Sequence, residues 1–455
     1  MRIFLSLTTI CLLMGLGSAV ALNSNGGPDS DVSEHELAKQ IPTHIIKLKA
    51  SAIPNKKGFL ATSFVSQHFK TFQRNIRSSL KGKHAVLSDL LQVVNTDIDR
   101  DSMKNINIGK NYKAVTGSFP PQFVNYLSNL KDVEFVEQNQ VYKAPFISTN
   151  ARKIPYYIDE ENNDSTELRK RDYVTQSDVP SWGIARINHR NSPDLTLYTA
   201  EELSGAGIHV YILDSGIQED HPDFDDRAQL DANFINYETA EDYSGHGTHV
   251  AGIIGGNIFG VAKKTILHGV KILDRNGDGT TSALLQAISH IAQTHVPGRS
   301  IVNLSLSGPR SQSIDDALSM LVNDNNIPVF VSAGNTGDDA CDYSPSANPD
   351  VFAVGASDIQ DSIPPFSSFG SCVSLYAPGT NITSTWIEDS ALTMDGTSMA
   401  NPHVSGIAAM LMTERTFQST HDLYDALKTI ATPNILTPFD KAQGGLLAYN
   451  GPNRA

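Results

Sequence analysis

Cysteine is scarce in this chain of 455 residues, which holds only Cys11, Cys341 and Cys372. Three are too few for a disulfide scaffold, so burial of apolar surface must supply most of the stability. Positive charge is also short: 35 Lys and Arg stand against 49 Asp and Glu, for a formal net charge of −14. That balance argues against a protein that wraps nucleic acid. No P-loop and no GxGxxG stretch is present, which leaves a nucleotide-binding reading without support. Apolar runs long enough to cross a membrane, roughly 20 residues, are missing as well. The remaining composition, 40% hydrophobic and 18% charged, is that of a folded chain, at a length that suggests about three domains.

The first residues read as an address. Arg2 precedes an apolar stretch from Ile3 to Leu16, followed by Ala19-Val20-Ala21; a basic start, a short greasy segment and an Ala-x-Ala exit describe a secretory signal peptide over residues 1–21. Its removal takes Cys11 away and leaves an even pair in an oxidising compartment. This favours a Cys341–Cys372 disulfide over two buried thiols.

Residues 43–144 read as a small α/β module. Strands are expected at His44–Leu48, around Ile106, Ile108, Tyr112 and Val115, and at Val133–Val136. Val65, Phe69, Phe72, Ile76 and Leu80 recur at helical steps, and a second helix opens at Pro120-Pro121. The order strand, helix, two strands, helix, strand is a split βαβ, or ferredoxin-like, arrangement. Residues 145–171 are polar and end near Arg169-Lys170-Arg171, a linker with a dibasic cutting site. From residue 172 to 455 apolar strands at Ile208–Leu213, Ile266–Leu273, Ile301–Leu306, Ile327–Val331 and Val351–Val354 alternate with helical stretches at Ala283–Ala292 and Ile314–Val322. This α/β pattern calls for a mostly parallel sheet with helices on both faces, whose active site gathers at the carboxyl ends of the strands.

Three segments at element ends carry reactive side chains. Asp214-Ser215-Gly216 ends the first strand, Ser244-Gly245-His246-Gly247-Thr248-His249 opens a helical stretch, and Gly396-Thr397-Ser398-Met399 introduces another. A serine hydroxyl needs an adjacent base to act as a nucleophile. Imidazole titrates near neutrality and can serve; a buried carboxylate fixes its tautomer and stabilises the imidazolium. A serine at a helix amino end also places backbone N–H groups near a developing oxyanion.

On these residues the chain resembles a subtilase, a serine protease of the subtilisin class, and most closely the proteinase K and cerevisin-type fungal branch. Order and spacing agree, from Asp214 to His246 to Ser398. So do the blocks HGTHVAGIIGG, GTSMANPHVSG, Val270-Lys271-Ile272-Leu273, Asn303-Leu304-Ser305-Leu306 and Ser332-Ala333-Gly334-Asn335. The resemblance implies Ser398 as nucleophile, His246 as general base and acid, Asp214 as its orienter, and Asn335 as an oxyanion donor beside the Ser398 N–H. It implies substrate walls at Ser305, Leu306, Ser307 and Gly308 and at Ala333 and Gly334, with Gly279 lining a more distant subsite. Ser307-Gly308 replaces the family's usual two glycines, a change expected to narrow the pocket for the residue before the cut.

The resemblance makes residues 43–144 an inhibitory prodomain and folding template. Polypeptides become the substrates, with apolar or aromatic side chains preferred and no acidic cluster demanding a basic one. A monomer is implied, in a secretory compartment that is either a vacuole or the extracellular space and cell wall. Neither nucleic acid nor, after signal removal, a membrane is a partner. No cofactor for catalysis and no catalytic metal are expected. Asp274 to Gly279 imitates half of an EF-hand loop, but Leu285 stands where a Glu is needed, and His246 and His249 lack a third zinc ligand. Relatives hold structural calcium with an aspartate where this chain has Ser374. Asn163-Asp164-Ser165 and Asn381-Ile382-Thr383 are glycosylation acceptors by pattern, whereas Asn303-Leu304-Ser305 falls in the expected core.

Overall fold

The structure, a computed structural model, describes residues 41–53, 59–80, 98, 102–144, 154–155, 173–191, 194–438 and 444–451. The expected signal peptide, the basic triplet at 169–171 and Asn163 lie outside the described residues.

The amino-terminal module is a four-stranded antiparallel sheet under two helices. Its strands are β1 (His44–Leu48), β2 (Lys104–Ile108), β3 (Tyr112–Gly117) and β4 (Val133–Gln138); its helices are α1 (Ala61–Leu80) and α2 (Pro121–Ser128). In the order β2-β3-β1-β4, β3 lies between the two strands joined by α1. Period-two alternation gives the sheet two apolar faces. Ile46 and Leu48 point to the helices, where Val65, Phe69, Phe123 and Leu127 complete a core. Ile45 and Tyr112 point the other way, into a core they share with the larger module. A short strand, β5 (Val141–Lys143), follows.

The larger module is built on seven parallel strands. Before them come β6 (Ile154–Pro155), β7 (Tyr173–Gln176), helix α3 (Trp182–Ile187) and β8 (Tyr198–Glu201), which pairs with β7. The sheet itself contains β9 (His209–Asp214), β10 (Ala228–Asn233), β11 (Ile266–Lys271), β13 (Ser300–Leu304), β15 (Val329–Ser332), β17 (Phe352–Ser357) and β18 (Val373–Pro378), in the order β10-β11-β9-β13-β15-β17-β18. Short pieces complete the set: β12 (Asp278–Thr280), β14 (Gly308–Pro309), β16 (Tyr343–Ser344) and the hairpin β19 (Ile382–Trp386) with β20 (Ser390–Met394).

Helices cover both faces, as continuous apolar strands require. Helices α5 (Thr281–Thr294) and α6 (Gln312–Asn323) lie over one core. Helices α4 (His246–Gly255), α7 (Thr397–Glu414) and α8 (Thr420–Ile430) lie over the other. The chain builds β10 and β11 on one side of β9, then crosses to β13 on the other. A crevice therefore opens at the carboxyl ends of β9 and β13, the switch point where α/β sheets hold ligands.

Cys341 and Cys372 are joined, 31 residues apart, and the same two stretches exchange the Ala340 N–H to Phe369 O bond at 2.8 Å. Replacing both cysteines with serine should lower unfolding stability by about 2–4 kcal/mol through loss of loop constraint. Denaturant melts of the oxidised chain and of the double variant measure this directly.

Candidate active site

Asp214 ends β9 with its carboxylate fully buried. A buried carboxylate must be hydrogen-bonded, and its Oδ1 accepts from the Ser215 N–H at 2.8 Å and from His246 Nδ1 at 2.7 Å. His246 is the first residue of α4. The preceding Gly245 has φ +82°, and a Cβ there would meet the Trp386 ring at 2.6 Å, so only glycine fits this entry. With Nδ1 donating to Asp214, the tautomer that remains presents the lone pair of Nε2.

A second carboxylate fixes this corner. Asp242 Oδ1 accepts from the Ser215 hydroxyl and the Gly245 N–H, both at 2.8 Å. Its Oδ2 accepts from the Thr248 N–H at 2.9 Å and the Thr248 hydroxyl at 2.7 Å. Asp242 thus caps the amino end of α4 and ties it to the residue after Asp214. Burial works against a charged His246, but the charge and hydrogen bond of Asp214, aided by the charge of Asp242, hold its pKa above the usual 6.5. His249, one turn on, is held neutral: burial pushes it down to about 3, and its Nε2 donates to Leu392 O at 2.9 Å.

Ser398 is the second residue of α7, which packs against α4. Four residues later comes Pro402, inside the helix. Proline has no N–H, so the Ser398 carbonyl loses its helical partner. The Ser305 hydroxyl takes that place, donating to Ser398 O at 3.2 Å, while Ser398 Oγ lies 3.2 Å from Ser305 O. Asn303 donates to Ser305 Oγ at 3.1 Å. Asn401 locks the helix to the sheet by donating to Asn303 Oδ1, Leu304 O and Phe330 O at 3.0–3.2 Å. Asn303 is fully buried and braces the serine through Ser305.

Asn335 Oδ1 accepts from the Thr397 N–H at 2.9 Å and the Thr397 hydroxyl at 2.8 Å. Fixing the oxygen turns the NH₂ end, a donor, away from Thr397. Gly334 stands close to Ser307 and Ser368, at 3.4 and 3.0 Å from where a Cβ would be, and its φ of +109° suits glycine.

Among the expected wall residues, Leu306 and Ala333 are buried in the core, and Ser305 is committed to Ser398. Ser307 exchanges two hydrogen bonds with Lys143, at 3.2 and 3.1 Å, and Ala144 N donates to Gly277 O at 3.0 Å. β5 pairs antiparallel with β12, placing Tyr142 opposite Gly279. At Gly308 a Cβ would meet the Tyr142 ring at 2.4 Å, so the missing side chain is what admits that ring. Ser374 is half-buried within β18, at the bulge where Ala353 pairs with Val373 and Val354 with Leu375, and among the described residues no group of three or more His, Cys, Asp or Glu is placed to hold a metal. Asp274 accepts from the N–H groups of Asn276 and Asp278 at 2.8 and 3.0 Å, which makes the calcium-like stretch a self-bonded turn.

The sequence reading passes over Asp242 and holds Ser215, Asn303 and Asn401 only within motif blocks, without their bracing roles. Pro402 four residues after Ser398 was the available signal for a bonded Ser398 carbonyl. A base must be neutral to take a proton, so raising the His246 pKa moves the acid limb of kcat/KM upward. Asp242→Asn removes one raising charge; the limb should shift to lower pH and turnover should fall as α4 loses its cap. A pH–rate profile of both enzymes checks the sign.

A sequence model of the subtilase family, Peptidase_S8, matches residues 205–449. The chain is 41% identical over 284 residues to the subtilisin-like serine protease AsES of Sarocladium strictum, covering 61% of this chain and 72% of that one. It is 35% identical over 334 residues to the alkaline serine protease ver112 of Corniculantispora psalliotae, covering 72% and 86%. Among solved structures, a cold adapted subtilisin-like serine proteinase matches with a TM-score of 0.57 at 36% identity, over 59% of this chain and 97% of that one. With half the chain inside the family model and the seven-stranded parallel sheet in place, this protein belongs to the subtilase family and is a subtilisin-like serine endopeptidase.

Proposed function

We propose that the chain is a zymogen of the secretory pathway in which Ser398, His246 and Asp214 perform the hydrolysis. Ser398 Oγ attacks the peptide carbonyl as His246 Nε2 takes its proton, and Asp214 stabilises the imidazolium that forms. The oxyanion is met by the Ser398 N–H, which helix geometry directs out of the amino end of α7, and by the Asn335 NH₂. His246 returns the proton to the leaving amine. The acyl-enzyme on Ser398 is then hydrolysed by a water activated in the same way. Main-chain pairing with the walls gives affinity that depends little on sequence, which supports a broad specificity with apolar or aromatic preference. A monomer released from the cell or kept in a vacuole fits the expected leader, and among the described residues no helix is long and apolar enough to cross a membrane.

One observation carries the zymogen reading. Residues Val141 to Ala144 lie as an added strand between the Ser307 and Gly277–Gly279 walls, the place a substrate would take. The preceding module is clamped to the peptidase surface by chemistry at two helix ends. Glu137 Oε2 accepts from the Ser313 N–H at 2.9 Å and the Ser313 hydroxyl at 2.8 Å, capping α6. Asn139 Oδ1 accepts from the Ser282 N–H at 2.9 Å, capping α5. Helix amino ends have unpaired N–H groups, and here the prodomain supplies acceptors for them. Apolar contact through Ile45, Ile106, Ile108 and Tyr112 adds to the hold.

Ser398→Ala should accumulate uncleaved precursor on an immunoblot, because maturation is assigned to the chain's own nucleophile. Normal processing of that variant would instead point to another enzyme acting at Arg171. Glu137→Ala removes one cap, worth about 1 kcal/mol, and should raise the peptidase activity of unripened precursor roughly fivefold in a fluorogenic assay.

A further inference from the structure

Antiparallel register sets the count along the cleft. Ser305 lies beside Ser398, and Ser307 lies two residues further on. A chain bound in the manner of β5 therefore places its third residue before the cut opposite Ser307, where Lys143 sits. The side chain at that position is largely exposed, but its ammonium ends on a carboxylate. Lys143 Nζ lies 3.0 Å from Asp278 Oδ1, with Lys143 67% exposed and Asp278 18% exposed.

Asp278 is held in place for this contact. Its N–H donates to Asp274 Oδ1 at 3.0 Å, and its carbonyl accepts from the Asp274 N–H at 2.9 Å. The two cations of the same wall are directed elsewhere. Arg275 Nε pairs with Glu238 at 2.9 Å, and Lys271 Nζ pairs with Glu238 at 3.1 Å. Asp278 thus presents a fixed negative charge to whatever side chain stands opposite Ser307. The sequence shows no acidic cluster at the walls, and Asp278 is a single carboxylate rather than a cluster.

We propose that Asp278 is a specificity-determining residue that makes the enzyme favour polypeptides with Lys or Arg three residues before the scissile bond. The proposal rests on the reading of residues 141–144 as a substrate-like strand. Both groups are partly exposed, and such pairs are modest in water. The selectivity is a bias of about 2- to 5-fold in kcat/KM, of the size exposed ion pairs give, and no absolute requirement.

The test uses enzyme prepared from the full-length chain and two fluorogenic peptides, Tyr-Lys-Ala-Phe and Tyr-Gln-Ala-Phe amides. The Lys peptide should have the higher kcat/KM by about 2- to 5-fold. Asp278→Asn should bring the ratio close to one, and Asp278→Lys should place the Gln peptide ahead. If either variant fails to fold, the wild-type ratio still decides, since about 1 M salt should bring it toward one by screening. Equal cleavage of both peptides at low salt, or a ratio untouched by salt and by Asp278→Asn, overturns the proposal while leaving the zymogen reading intact. No cleavage of either peptide overturns the proposed function and the Asp278 assignment together.

Discussion

The buried bond between Asp214 and His246 is the constraint around which the rest of the site is arranged. A carboxylate with no access to water needs hydrogen-bond donors, and here they reach its Oδ1. Asp214 can find them only if the Ser215 N–H and the imidazole both arrive from fixed directions. The sheet supplies the first direction by ending β9 at this residue. The amino end of α4 supplies the second, through a glycine that no larger residue could replace and an aspartate that caps the helix. The ring orientation and its readiness to accept a proton follow from those two supports.

A similar economy holds the serine. Placing proline at position 402 would normally leave a carbonyl unpaired inside the protein. The sequence places Ser305 where its hydroxyl can repair the loss. Helix α7, Ser305 and the central strand β13 are joined through Asn303 and Asn401. A change in any of these residues should be felt at Ser398.

Much of this is legible in the amino-acid sequence. The strands at 209–214, 266–271 and 300–304 and the helices at 281–294 and 312–323 appear close to where apolar periodicity puts them, because buried parallel strands are nearly continuous apolar runs. The edge strand at Ala228–Asn233 was not seen; it is only half-buried, and Gln229, Asp231 and Asn233 interrupt it. Asp214, His246, Ser398 and Asn335 stand in short glycine-flanked blocks and were visible as such. The carboxylate of Asp242, the braces at Asn303 and Asn401 and the charge at Asp278 were hidden, since their roles depend on partners distant in sequence. Leu306 and Ala333 matched a wall motif, yet their side chains fill the core, and a motif alone cannot say which way a side chain turns.

The central claim is that Ser398 is the reacting group and that residues 141–144 keep substrates from it. Labelling with a serine-directed fluorophosphonate, followed by peptide mapping, tests both halves in one measurement. The account calls for a single adduct on Ser398 in the processed enzyme and little or none in the intact precursor. An adduct on another serine, none in the processed enzyme, or equal labelling of precursor and processed enzyme would contradict it.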